Sequence, residues 1–196
     1  MIGIRPVTDD FGKRFGSIIQ NCRRPRAILA AAGREAANLL KKHFRQKDRT
    51  GANKLAPERR SHLWNKIAQS VQAPVATDND VSISITHPII AQKVFGGPIV
   101  AKRVRNLAIP KSAEAYDRSP AVFERETGLK LFVLVKKGAG LLLAAAEGLG
   151  IKVHYLLTPR VNQKADETAL PPRQPFTESI LQRAVAVQQR QLQGNN

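Results

Sequence analysis

The chain has 196 residues, enough to bury one substantial core, so a single domain (1–196) with appendages is expected. Its 32 Lys and Arg against 15 Asp and Glu give a formal net charge of +17, which points to an anionic partner: nucleic acid, an acidic protein surface or a membrane face. A lone cysteine, Cys22, excludes an intramolecular disulfide framework and a cysteine-rich zinc site, and no apolar run approaches the roughly 20 residues that span a bilayer, so a soluble protein of a reducing compartment is expected.

In chain order, the longest predicted helix runs from Pro25 to Lys47, with Ile28, Leu29, Ala32, Ala36, Leu39 and Leu40 on one face at helical spacing. Arg26, Arg34, Lys41 and Arg45 cluster on the other side, either as a solvated face or as one that meets DNA or an acidic neighbour; Arg23 and Arg24 extend the cluster ahead of the helix. Asp48 to Pro57 is rich in turn residues and reads as a loop, followed by a second helix from Glu58 to about Val71 that buries Leu63, Trp64, Ile67 and Val71. The single tryptophan reads as a core anchor.

"VSISIT" (Val81 to Thr86) alternates apolar and polar residues, the pattern of a half-buried strand. A short helix, Pro88 to Phe95, leads into Gly96-Gly97, and Pro98 to Arg105 then leaves the core as a basic arm that returns through the apolar strand Leu107 to Pro110. The alternative is a mobile hairpin with solvating cations. The whole stretch from Gly96 to Gly128 reads as a poorly periodic insertion, of the kind that is functional or orders on assembly. Leu129 to Lys136, Gly140 to Ala146 and Ile151 to Thr158, punctuated by glycines, read as an antiparallel meander. A terminal helix is expected with Thr177 as N-cap, Phe176 stapled onto Leu181, an apolar face of Ile180, Leu181, Ala184, Val185 and Val187, and a frayed tail after Gln193. Helices and antiparallel strands segregated in this way predict an α+β fold, a sheet packed on the long helix and the second helix.

Catalytic patterns are sparse. His43, His62, His87 and His154 lack metal-ligand spacing, there is no G-x-S-x-G elbow, and the glycines of "VKKGAGLLLA" follow the lysines rather than preceding them as a phosphate loop requires. Asp78 and Asp80 flank Asn79 in a turn, where local backbone hydrogen bonding accounts for them. The expectation is a protein without enzymatic activity, metal or cofactor.

The order of the pieces carries more. "HFRQKDRTGANKLAP", "RRSHLWNKIAQSV", then "VSISITHPIIAQKVFGG" with His87, Ala91, Phe95, Gly96 and Gly97, "LAIP" at Leu107 to Pro110, Ser119-Pro120 with Phe123, "LKLFVLV" and a late "PPRQPF" together resemble the phage virion morphogenesis family of Mu-like tail completion proteins. The resemblance covers about Ile28 to the C-terminal helix. The chain departs from the family's commoner pattern in "NKLAP", where a tryptophan is frequent, and in Arg173-Gln174-Pro175-Phe176-Thr177, where R-P-F-L is. It implies a non-enzymatic α+β protein that assembles as a homo-oligomeric ring at the neck or head-proximal end of a phage tail, located in the virion and, during assembly, in the host cytoplasm. Its implied partners are copies of itself and neighbouring neck, connector or tail-tube proteins, with no membrane.

On that reading Phe95, Gly96, Gly97, Val100, Lys102, Arg103, Arg105, Leu107 and Phe176 are subunit or partner contacts, and Arg23, Arg24, Arg26, Arg34, Lys41 and Arg45 meet DNA or an acidic partner. The rival is a basic protein that binds nucleic acid without sequence preference; low aromatic content and the lack of a helix-turn-helix or zinc finger weigh against it.

Overall fold

The computed structural model describes residues 12–14, 16, 18, 25–51, 61–136 and 140–193, the side chain of Leu192 excepted. Its elements in chain order are α1 (Pro25–Thr50), α2 (Leu63–Gln69), β1 (Val75–Ala76), β2 (Val81–Ser82), α3 (Ile89–Phe95), β3 (Gly97–Val100), β4 (Leu107–Pro110), α4 (Pro120–Thr127), β5 (Phe132–Lys136), β6 (Gly140–Glu147), β7 (Gly150–Thr158), β8 (Arg160–Gln163) and α5 (Arg173–Gln193). The fold is α+β, with antiparallel sheets throughout. The chain divides into two units: one takes the described residues of Met1–Thr50, His62–Phe95 and Asp166–Asn196, the other those of Gly51–Ser61 and Gly96–Ala165. No helix of the described residues is long and apolar enough to cross a membrane.

The first unit is built on α1. Its stripe of Ala37, Leu40 and Phe44 joins Ile67, Ala68, Val71, Ile85 and Ile90 in one core, while Ala32 and Ala36 pack against Ile180 of α5. Trp64 anchors this core as expected, stacking on Phe44 at 6.0 Å between ring centroids with Lys47 Nζ 4.4 Å above its ring. At Gly33 an added Cβ would stand 2.5 Å from Val81 Cγ2 and 2.8 Å from Pro74 Cβ, so only glycine lets the β1–β2 hairpin lie this close to the helix.

Four expectations are corrected in this unit. α1 continues past Lys47 to Thr50, with Lys47 and Arg49 at the negative end of its dipole and the Thr50 hydroxyl donating to the Gln46 carbonyl; of the expected loop, 52–57 lies outside the described residues. The second helix is shorter than expected. His62 takes a left-handed conformation (φ 50°) without capping through its side chain, and the Asp48 carboxylate caps instead, accepting from Asn65 N at 3.2 Å and lying 3.0 Å from His62 Nδ1. At its far end Val71 has left the helix for an antiparallel bridge with Ile85; expected helix residues 58–60 lie outside the described residues.

"VSISIT" does not form one strand, because its two halves have different partners: Val81–Ser82 pair with the unforeseen β1, and Ile85 pairs with Val71. α5 begins at Arg173 rather than after Thr177. Pro175 sits in the first turn, where its missing N–H costs nothing, and the Thr177 hydroxyl donates to the Gln174 carbonyl from inside the helix. The expected tail after Gln193 lies outside the described residues.

The second unit contains the expected meander, β5–β6–β7, extended on its far side by β4 to give the order β4-β7-β6-β5. The stretch from Gly96 to Gly128 is not a plain insertion, since it supplies β3, β4 and α4. α4 starts cleanly because Ser119 accepts from Val122 N at 3.3 Å and Pro120 follows, and it stops at Gly128 in a left-handed conformation (φ 73°). Its Phe123 is fully buried with Ala115 and Tyr155, edge-on to the tyrosine ring at 5.9 Å. In this unit the sheet's helix is therefore α4.

Candidate functional site

The basic arm grows out of an interrupted ladder. β7 and β8 are nearly one strand, separated only by Pro159. β4 pairs along β7 from Pro110↔Tyr155 to Leu107↔Thr158, and β3 pairs along β8 from Val100↔Arg160 to Gly97↔Gln163. Pro159 has no N–H to offer the ladder, and opposite it the facing chain loops out as residues 101–106, tied at one end by Ala101 N donating to the Pro159 carbonyl at 3.1 Å. The expected arm, Pro98 to Arg105, is thus corrected: Pro98 to Val100 belong to β3, and only 101–106 depart.

Gly96 starts this geometry. It holds φ 67°, and a Cβ there would meet Ala165 N at 2.6 Å and the Gln163 carbonyl oxygen at 2.8 Å. With Gly97 at φ 115°, the pair turns the chain against its own backbone, a structural duty inside the ribbon.

Lys102, Arg103, Val104 and Arg105 are all exposed, with Val104 64% and Val100 53% accessible. Pairing brings Arg160 beside Val100, a residue the sequence gives no reason to add to the cluster. Neither 97–113 nor 148–165 contains an acidic residue. Leu107 is half-buried in β4 and Phe95 is 70% exposed at the end of α3. Phe176 is partly buried and packs against both apolar clusters of the first unit.

On α1, Arg26, Arg34 and Arg45 are exposed and Lys41 half-buried, along one side of the helix as expected; Arg23 and Arg24 lie outside the described residues. Among the described residues none of these four forms an ion pair.

A second surface of the sheet has no signature in the sequence. Among the described residues β5 pairs with β6 alone and its other edge is open, and Val133 and Val135 are 58% and 74% exposed. One cross-strand row, Val135–Leu141–Leu157–Ala108, runs the width of the sheet next to the row that carries Leu143 and Tyr155 to the α4 core, with its Ala108 end packed on that core. The row is apolar from edge to edge.

A polar cluster also lies hidden in the same unit. The register slips between Leu143 and Ala144, whose partners are Tyr155 and Val153, so His154 is the extra residue of a bulge and turns inward beside Tyr155. Fully buried, its ring lies 4.5 Å from that of Phe123, with Nδ1 2.9 Å from Ser112 Oγ. Nε2 lies 3.0 Å from Glu147 Oε1 but outside hydrogen-bond geometry, so that contact is one of proximity only. Ser112 Oγ also accepts from Ala115 N, and Lys152 spans Glu114 at 2.9 Å and Glu147 at 3.4 Å. The hydrogen bond to Lys152 is the main reason the Glu114 carboxyl is held down at about 2, and the same contact raises Lys152. Enclosed by a ring nitrogen and an amide, the Ser112 hydroxyl acts as a strut pinning the turn after β4 to the sheet.

No protein-family model, curated protein or solved structure matches the chain.

Proposed function

We propose that the protein is a structural component of a tailed-phage or prophage virion, acting in tail completion or head-tail joining by assembling with copies of itself into a ring. The reading draws on the motif order from Ile28 to the terminal helix, and the observation that carries it is the open β5 edge. An exposed strand edge with β-branched side chains is a template for another strand, and a protein that must remain separate blunts such an edge. A ring needs a head-to-tail contact, so in it the β5 edge, with Val133 and Val135, receives a different segment of the neighbouring copy. Light-scattering mass with negative-stain images of the purified protein, alone and beside tail or connector proteins, tests it. A closed oligomer supports the reading; a strict monomer at high concentration that is also absent from assembled particles removes it.

The exposed side of α1, with Arg26, Arg34, Lys41 and Arg45, favours a second reading as a nucleic-acid-binding protein without sequence preference. Its sign would be tight DNA binding by a monomer or dimer, with affinity falling steeply as salt releases counterions.

A further inference from the structure

The loop at 101–106 is a small surface built with unusual economy. Both ends are fixed in register one residue from Pro159, through Val100↔Arg160 and Leu107↔Thr158, so a partner meets a loop whose ends are already ordered and bears less of the entropic cost of closing it. On it stand Lys102, Arg103 and Arg105, with Arg160 supplied from across the ladder, and none of the four forms an ion pair among the described residues. Arg160 spends only its Nε, donating to Asn162 Oδ1 at 3.2 Å. The acid-free stretches on both sides leave the positive field uncancelled along the ladder.

We propose that this loop is a docking site for an acidic protein segment of another chain, one that presents carboxylates around an apolar side chain. Charge decides against the same ladder of a second copy as occupant, because residues 97–113 and 148–165 carry no carboxylate and would meet the site with like charge. Chemistry decides against nucleic acid. Val104, between Arg103 and Arg105, is 64% exposed and Val100 is 53% exposed beside Arg160, apolar area that a phosphate backbone does not use. No aromatic residue lies between Gly96 and Ala115 to stack on a base. Arginine's planar fork fits a carboxylate with two parallel hydrogen bonds, and valine between two such forks supplies the dry centre that protein interfaces place inside a charged rim.

The proposal deepens the assembly reading by naming a partner class for a surface separate from the β5 edge, and its test is independent of self-association. The full chain is titrated with a peptide of alternating Glu and Leu, with oligoglutamate of equal charge, and with a short DNA duplex, over a salt series. The Glu-Leu peptide is expected to bind more tightly than oligoglutamate. Lys102→Ala/Arg103→Ala/Arg105→Ala should lower its affinity roughly tenfold or more, while Val104→Ser lowers it about threefold and leaves oligoglutamate binding unchanged. Circular dichroism and thermal transition should match the parent in each variant, and the oligomer mass should not move.

Three results would overturn the proposal: no binding of the parent to the Glu-Leu peptide, DNA bound more tightly than the peptide and lost in the triple variant, or loss of self-association in the loop variants. A parent that never self-associates but binds the peptide through the loop would sink the ring reading and leave this one standing.

Discussion

The two units spend their apolar residues differently. In the helical unit the large side chains turn inward: Ile28, Leu29, Leu40, Phe44, Ile67 and Ile90 are all buried to within about 2% of complete. In the sheet unit the burial is concentrated under α4, and Ile99, Val100, Val104, Phe132, Val133, Val135, Leu141, Leu149 and Ile151 are exposed. Of the large apolar residues exposed among those described, only Val75, Ile89 and Phe95 fall in the helical unit. A set of exposed apolar side chains in one unit, at the edge and hairpin tip of its four-stranded sheet, on β3 and in the 101–106 loop, is what an interaction surface requires and an isolated domain does not. The helical unit supplies stability and the sheet unit supplies surfaces, a contrast that substitutions can break.

The largest effect is expected in the helical core. Phe44 is fully buried, stacks on Trp64 and lies in the main apolar cluster, so Phe44→Ala should cost about 3–5 kcal/mol, read as a shift in the denaturant midpoint. A cost below about 1 kcal/mol would mean that the cluster is not the main store of stability. Next comes Gly96→Ala, which combines a left-handed φ with a Cβ placed against two backbone atoms and should cost about 1–3 kcal/mol. An unchanged midpoint would show that the ribbon of β3 and β8 relaxes freely. Val133→Lys/Val135→Lys on the open edge should change the midpoint by no more than about 0.5 kcal/mol while reducing oligomer mass. Loss of folding in that variant would place β5 in the core and erase the contrast.

How much was legible in the sequence follows the same division. α1 and the meander β5–β6–β7 announce themselves because each is specified by its own periodicity. β3 does not, since "GPIV" carries a glycine and a proline and becomes a strand only when β8, far along the chain, lies beside it. The start of α2 is not legible, because nothing local reveals that His62 turns left-handed and leaves capping to Asp48 on another helix. At the loop, Lys102, Arg103 and Arg105 were legible as an exposed basic run, whereas Arg160 enters only through the pairing of two distant strands. Phe176, next to a proline, resembled a residue outside a helix; Pro175 in the first turn explains why it is inside one and in the core. Ser112 and His154 are joined, and Glu147 brought near them, by a bulge, and a register slip leaves no mark on composition.

The smallest effect separates the two units by their ion pairs. In the helical unit Lys47 Nζ lies 2.8 Å from Asp166 Oδ2, also donates to Thr168 Oγ1, and stands over Trp64. Burial alone would raise Asp166, but the hydrogen bonds from Lys47 and Thr168 outweigh it and leave the carboxyl lowered. In the sheet unit Lys152 holds Glu114 down at about 2 from an ordinary 4.5, chiefly through their hydrogen bond. Both are carboxyls depressed by folding, so each stabilises above its unfolded pKa and loses that contribution as pH falls through its folded value; for Glu114 the window runs from about 4.5 down to about 2. The Glu114 and Lys152 side chains are 48% and 42% exposed, so solvent screens the pair and its worth is under about 1 kcal/mol. Lys47 is 18% exposed and also packs on an aromatic ring, so Lys47→Met should lower stability at neutral pH by more than Lys152→Met does. Lys152→Met should in addition flatten the acid limb of the stability curve between about pH 4.5 and 2, measured by denaturant midpoint against pH. Equal losses in the two variants, or an acid limb that Lys152→Met leaves untouched, would show that charge does not distinguish the stabilising unit from the presenting one and that the contrast rests on apolar burial alone.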